Sequence, residues 1–387
     1  MVITNTISPV LKIGLQFLGI WPDVSYSAVH WFGFMSTLII VQYFQYAYIF
    51  QHLKISEFSN LIDALTVTVD YSLTFFKLIG LWLHRRVFHQ ILADMDSDWR
   101  ECNDIDQHLY LMTIKANISY FFSNLMYSIT MIFTVLYLLG DYMINFIFVN
   151  KDYNVTSRQL PIKLYLPFET EQSPVFELLV VLIFIHVMLH VSILTILNGL
   201  ILTLVLHVSG QIDIMCYEFE NISKNALLHK YTVSLFHMQI KRHNKIILFA
   251  ENIEKLFSFI ALMQVICNTL VICFLGFFFI ISLYNESDVF VLVKTVLAYL
   301  GIMCEPFVIC LAGEHLSFKS KLIADATYES LWYELPSRQN KIIIFMIMRS
   351  QRRLAITAGK MMDVSFETFT NIMKASISYI SVLNAMY

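Results

Sequence analysis

Seven long apolar stretches follow one another between Trp31 and Tyr387: Trp31–Phe50, Ile62–Leu83, Ile118–Leu139, Val175–Leu206, Leu256–Leu283, Val289–Ala312 and Phe366–Met386. Each has the roughly 20 residues that a helix needs to cross about 30 Å of hydrocarbon. A soluble helical core of this size needs polar faces at 3.6-residue spacing, and Ile132–Leu139, Val191–Leu206 and Val271–Ile281 have none. The pattern predicts an all-α membrane protein with seven transmembrane helices and no separate soluble module, one domain over residues 1–387. The fourth stretch stays compatible with helix through Gln211-Ile212-Asp213 to Asn221, and Lys241–Lys255 reads as a helix feeding the fifth. In the sixth loop, Glu314–Tyr333 and Lys341–Arg353 flank a turn at Pro336. Apolar Ile342, Phe345, Ile347 and Met348 recur there at helical spacing, which predicts helices packed together beneath the membrane. Val10–Ile20 is short, is interrupted by Lys12, and has no small-residue cleavage site, so it is not expected to be a removable signal.

Charge orients this array. Of 26 Lys and Arg residues, 19 lie before the first stretch or in the second, fourth and sixth loops, and 4 lie in the other three. Lys77, Lys294 and Lys374 fall inside spans. The positive-inside rule then predicts a cytoplasmic N-terminus and an extracellular C-terminus, which is inverted relative to a G-protein-coupled receptor. The chain is 57% apolar and 14% charged, with mean hydropathy +0.64 and pI 6.4. A net charge of −3 offers no basic surface, so nucleic acid is not implied. None of the six cysteines falls in a predicted external loop, so no structural disulfide is expected. Of the Asn-x-Ser/Thr sequons, those at Asn117 and Asn221 fall on the cytoplasmic side. Asn285 lies close to the bilayer, and Asn154 sits in the longest external loop as the expected glycosylation site.

Polar residues inside the spans are the candidates for chemistry, because an ionisable group at membrane depth normally faces protein or water. Asp70 and Lys77 share one helix face two turns apart, too far for a direct pair. Glu177, His186 and His190 mark the fourth span. Glu305-Pro306 marks the sixth, where proline frees backbone carbonyls. Each is read either as an interhelical hydrogen bond or as part of a site. No HExxH, paired intramembrane aspartate or Ser/Lys dyad appears, so an enzyme is not expected, and nothing has metal-ligand spacing. The absence of an internal repeat speaks against a transporter. In the last span Asn371, Lys374, Ser378, Ser381 and Ala385 form one polar or small stripe, with Val382 and Met386 beside it. That stripe suits the wall of a hydrated pore, or a polar face buried against neighbouring helices.

Several fragments in order resemble the insect odorant receptors over nearly the whole chain. They are Leu18-Gly19-Ile20-Trp21-Pro22, Leu204-Val205-Leu206-His207-Val208-Ser209-Gly210-Gln211, Gly313-Glu314-His315-Leu316 and Trp332-Tyr333 before Pro336. The closing run from Ser365-Phe366-Glu367 through Lys374-Ala375-Ser376 and Ser378-Tyr379 to Val382-Leu383 is the strongest match. The shorter fourth loop and the ending Val382-Leu383-Asn384-Ala385-Met386-Tyr387 look like a ligand-tuned subunit rather than the co-receptor. Gustatory receptors are similar at Ser378-Tyr379, but their closing Gln is missing. The resemblance implies a non-selective cation channel gated by volatile small molecules, in the plasma membrane of olfactory sensory neurons. It implies a tetramer with odorant co-receptor subunits, seated in lipid and using no cofactor. Residues 31–206 would then hold helices 1–4 and the outer ligand pocket, 207–365 helices 5–6 and a cytoplasmic anchor, and 366–387 the pore helix. A G-protein-coupled receptor is the more distant alternative, and its Asn-Pro-x-x-Tyr and Asp/Glu-Arg-Tyr signatures are absent.

Carried onto this sequence, the resemblance places the ligand where the outer halves of four helices converge. Asp70, Tyr71 and Thr74 are expected there from the second, and Ser128, Met131, Ile132 and Val135 from the third. The fourth contributes Ile183, Phe184 and His186, and the sixth Thr295 and Tyr299. Met and aromatic side chains would give adaptable apolar walls, with hydroxyls to orient the ligand. Ser378 and Ser381 would line the pore, and Val382 and Met386 would form its apolar gate.

Overall fold

The computed structural model describes residues 5–53, 58–148, 160–170, 172–224, 232–284, 289–330, 332–334 and 337–386. Among them are the helices α1 (Pro9–Phe17), α2 (Ser27–Gln51), α3 (Phe58–Leu83), α4 (Arg85–Cys102) and α5 (Asp106–Phe148). They continue with α6 (Val175–Lys224), α7 (Thr232–Tyr284), α8 (Val289–Glu329), α9 (Ser337–Ser350) and α10 (Phe366–Met386). Six of them, α2, α3 and α5 to α8, are long and apolar enough to cross a membrane. The seventh expected span, α10, has the length at 21 residues, but Glu367, Asn371, Lys374 and several hydroxyls leave it more polar than the other six. As the sequence suggested, α6 runs without a break past Leu206, and Lys241–Lys255 lies within α7. Three elements were not foreseen as such: the short α1, the amphipathic α4, and a two-stranded antiparallel hairpin of β1 (Thr357–Ala358) and β2 (Met362–Asp363).

At the centre stands α6, in which every residue from Ile193 to Ile212 is buried. A helix covered on all sides must be apolar all round, and its polar groups must each find a partner within the bundle. They do. Thr203 meets Ser119 of α5 at 2.8 Å, and Ser209 meets His315 of α8 at 3.1 Å. Asp213 receives Lys115 of α5 at 2.8 Å and Lys319 of α8 at 2.6 Å. His207 is the busiest: Nε2 lies 2.9 Å from Asp98 of α4, and Nδ1 lies 3.0 Å from the Thr6 hydroxyl. Trp99 Nε1 donates to that same hydroxyl at 3.0 Å, which ties the N-terminal segment to α4 and α6. Burial pushes the Asp98 carboxyl up, but hydrogen bonds from His207 and Lys245 and their charge outweigh it, so it sits below the usual carboxylate range. Ahead of α1, Ser8 caps the helix by accepting from Leu11 N–H. Leu11 and Leu15 then bury against the bundle.

Helix α9 packs differently from the expected face. Ile343 and Met346 are its buried apolar residues, while Ile342, Phe345 and Met348 point outward at 44, 68 and 57% exposure. Only Ile347 of the anticipated set is packed against the core. The helix has two apolar faces, and within one protomer just one of them finds a surface. Beyond it the hairpin docks on α7: Gly359 N–H donates to Ser258 C=O at 2.9 Å, and Thr357 to Glu254 at 2.8 Å. The start of α10 is held by α8, where Glu314 accepts from Phe366 N–H at 3.3 Å.

Gly313 sets how close α8 and this connection come. A Cβ there would lie 2.0 Å from the Val364 carbonyl oxygen, a backbone atom that cannot swing away. Gly313→Ala should therefore cost about 1–3 kcal/mol or more of stability. Size-exclusion profiles and thermal midpoints of the purified chain should show the loss, while Gly301→Ala, with open space around the site, should behave as wild type.

Candidate functional site

Four spanning helices line a half-open cavity of about 230 Å³. Its walls follow helical periodicity. On α3 they are Asp63, Thr66, Val67, Asp70 and Tyr71; on α5, Met126, Ile129, Thr130, Phe133, Thr134, Tyr137 and Leu138. From α6 come Val187, His190, Val191, Leu194, Thr195 and Asn198, and from α8 Leu297, Ala298, Gly301, Ile302, Cys304 and Glu305. Leu275 of α7 and Pro161-Ile162 of the α5–α6 connection complete it. Spacings of three and four on each helix turn one face inward. The lining is mainly apolar and aromatic with a few placed polar groups, which is the make-up of a site for a small organic molecule.

The polar groups are held in a fixed order. Tyr71 stacks on His190 with ring centroids 3.9 Å apart, and its hydroxyl lies 3.2 Å from His186 Nδ1. Thr74 Oγ1 lies 2.7 Å from His190 Nε2. Asp70 approaches His190 only to 3.9 Å, beyond a hydrogen bond. Deeper, Lys77 is fully buried and donates to Asn198 at 3.1 Å and to Glu305 at 3.3 Å. Three helices thus share one ammonium, and two of its partners line the cavity. Glu305 precedes Pro306, and α8 continues as helix through both. Immediately after Pro306, the Phe307 ring meets Phe366 and Phe369 of α10 at 6.0 and 5.7 Å.

The sequence and the fold are matched elsewhere. The family model described as 7tm Odorant receptor matches residues 57–377. The chain belongs to the odorant receptor family. Odorant receptor 13a of Drosophila melanogaster is 22% identical over 98% of this chain and 95% of its own length. Odorant receptor 22c of the same species is 26% identical over 58% of this chain and 57% of its own. In fold, the receptor resembles the insect olfactory receptor OR5 from Machilis hrabei, solved in complex with eugenol. The TM-score is 0.79 at 15% identity, over 97% of both chains. The structure without eugenol aligns with a TM-score of 0.79 at 14% identity. The chain is accordingly a multi-pass membrane receptor and not an enzyme.

Of the residues anticipated from the sequence, Asp70 and Tyr71 line the cavity. Thr74 and His186 sit behind it, bonded to His190 and Tyr71. Ile183, one turn before Val187 on the same face of α6, is buried in the core, and Phe184 packs against it. On α5 the anticipated set points elsewhere. Ser128 and Ile132 are exposed on the outer surface, Met131 accepts from Ser192 at 3.5 Å, and Val135 is half-buried. The true lining, Thr130, Phe133, Thr134 and Tyr137, is the same pattern moved by two residues, a rotation of about 200°. On α8, Thr295 is buried with its hydroxyl on the Val291 carbonyl, and Tyr299 is half-buried beside the lining. Glu305, His190 and Asn198 complete the polar set; as polar groups inside apolar spans they were detectable, and Glu305 and His190 had been noted as such. On α10, Asn371, Lys374, Ser378, Ser381, Val382 and Ala385 all face away from the protomer. Asn154 and the Met386 side chain lie outside the described residues.

The shared ammonium predicts a specific pattern of rescue. Glu305→Ala leaves Lys77 buried without its carboxylate partner, and breaking a buried pair from one side costs about 3–5 kcal/mol. Removing both charges together, as Lys77→Met with Glu305→Gln, should restore most of the thermal stability lost by Glu305→Ala. Equal instability of the single and double variants would show that the pair is not the source of the loss.

Proposed function

We propose that this receptor is the ligand-tuned subunit of an odorant-gated, non-selective cation channel, working in a heterotetramer with the odorant co-receptor. The observation that carries the reading is the half-open, largely apolar cavity among α3, α5, α6 and α8, joined by one helix to an uncovered polar stripe on α10. A volatile molecule of modest size enters that cavity, with eugenol in OR5 as a precedent for the class of ligand. The α10 stripe, exposed in a single protomer, faces the pore axis of the assembly, where Ser378 and Ser381 keep it hydrated. Val382, 56% exposed, and Met386 form an apolar ring that excludes hydrated ions until the helix moves. The outward apolar face of α9, with Ile342, Phe345 and Met348, meets a neighbouring subunit in the anchor. All seven spans cross the membrane, with α10 as the last, the N-terminus cytoplasmic and the C-terminus outside. The site of action is the plasma membrane of olfactory sensory neurons, and Asn154 carries the external glycan.

The geometry supplies a route from ligand to gate. Occupancy of the cavity acts on Glu305, and Phe307 of the same helix bears on Phe366 and Phe369 at the base of α10. A ligand that fits one packing of these rings better than another shifts the balance between closed and open states.

Two variants of α5 separate the cavity from the lipid face. In cells expressing the receptor with the co-receptor, Phe133→Ala and Tyr71→Ala should each shift odorant potency by about tenfold, a change of about 1.4 kcal/mol. Ile132→Ala should leave the dose–response curve in place. Unchanged curves for both cavity variants at normal surface expression would refute the placement.

The gate is tested in the same cells. Val382→Ser should raise ligand-free current or alter ion selectivity while leaving the ranking of odorants intact. Effects should be partial, because other subunits contribute the rest of the ring. Wild-type conduction at normal expression would remove this chain from the gate.

A further inference from the structure

A second cavity, of about 360 Å³, opens between the ends of α4, α5, α6 and α7, well apart from the first in sequence and in lining. Its wall is charged. Asp98, Glu101 and Asp104 contribute carboxylates, and Lys241, Arg242 and Lys245 of α7 contribute cations. These groups are unequally committed. Lys245 is taken by Asp98 at 2.5 Å and Glu101 at 3.0 Å. Lys241 and Arg242 have no ion-pair partner among the described residues.

Two buried nitrogens in this wall are also unpartnered. Arg242 Nη1 has no hydrogen-bond partner, and neither has His108 Nδ1. His108 is 1% exposed, and its Nε2 is fixed by Glu218 at 2.7 Å, so the ring cannot turn to satisfy the free nitrogen without breaking that bond. Buried polar atoms are seldom left this way, and two on different helices facing one space call for a common partner. The partner must offer acceptors to a guanidinium fork and to an ammonium at once. With Nε2–H given to Glu218, His108 Nδ1 is the acceptor of the ring, and a hydroxyl group beside the anion can satisfy it.

We propose that this cavity binds a phosphate monoester carried on a polyol. Arg242 and Lys241 take the phosphate oxygens, since a guanidinium fork and an ammonium suit a group with three acceptor oxygens better than a carboxylate with two. Asp104, which has no ion pair among the described residues, accepts from the hydroxyls of the polyol. Ile105, Val208 and Phe249 supply apolar surface for its ring. Such a group is found on a soluble sugar or inositol phosphate and on a phosphoinositide headgroup. Only its cytosolic source rests on the membrane orientation proposed above; the chemistry of the site does not.

The test uses the full-length receptor purified in detergent. Binding of inositol trisphosphate, inorganic phosphate and unphosphorylated inositol is measured directly. The phosphorylated polyol should bind most tightly, inorganic phosphate less so, and inositol not at all. Arg242→Gln and the exposed, fold-tolerant Lys241→Gln should each weaken inositol trisphosphate by about tenfold or more. Lys341→Gln, a distant exposed lysine, should change nothing. Phosphatidylcholine vesicles with and without phosphatidylinositol bisphosphate then separate the sources. Vesicle binding displaced by inositol trisphosphate marks a lipid headgroup, and soluble binding alone marks a free metabolite. Wild-type protein of normal thermal stability that fails to bind inositol trisphosphate would overturn the proposal. So would binding that survives both Arg242→Gln and Lys241→Gln at full strength.

Discussion

The whole bundle depends on a helix that has no free side. Because α6 is buried from Ile193 to Ile212, it cannot present polar groups to water or headgroups, and each one must be answered from within the bundle. The answers come from α3, α4, α5 and α8, so polar ties spaced along one helix fix the positions of four others. Asn198 with Lys77, Thr203 with Ser119, His207 with Asp98 and Ser209 with His315 form successive rungs. Hydrophobic burial alone is non-directional and, within lipid, supplies little preference for one helix rotation over another. The rungs supply that preference.

The same constraint places the cavity. Around His190 and Asn198 the neighbours of α6 stand off far enough to leave a space, and the polar groups at its edge are those that tie α3 and α8 to the hub. Lys77 is the sharpest instance. Its charge is tolerable because Asn198 and Glu305 converge on it, and that convergence aligns three walls of the site.

How much of this was readable depended on contrast. Long apolar runs stand out against polar loops, so the spanning helices and the long extensions of α6 and α7 were visible in the sequence. Helix α4 has half its residues polar and no span-like run, and the hairpin at Thr357–Asp363 is held by contacts with Ser258 and Glu254 about a hundred residues away. Within the spans, contrast fails for another reason. A lipid-facing side and a cavity-facing side are both apolar, so Ile132 and Phe133 look alike until the helix is rotated against its neighbours. Asp70 stood out because an ionisable group in a span points away from lipid; Tyr71 came from the family resemblance, and the Ser128 hydroxyl, which faces outward, gave no such guidance. That Lys77 could not reach Asp70 was legible from their spacing. Its actual partner, 228 positions away on α8, was not.

Helix α5 occupies an unusual position in this scheme. It supplies more of the cavity wall than any other helix, yet it is the least buried of the six apolar spanning helices. Its lining positions from Thr130 to Tyr137 make few of the polar ties that hold α6, and the rest of that segment is turned largely toward the exterior. Diversification of a receptor repertoire needs a surface on which side chains can be exchanged without unfolding the product. On the proposed reading of the cavity, α5 would be that surface: its volume and polarity could drift across gene duplicates while the hub stays as it is, so new ligand preferences and a stable fold would not be selected at the same residues.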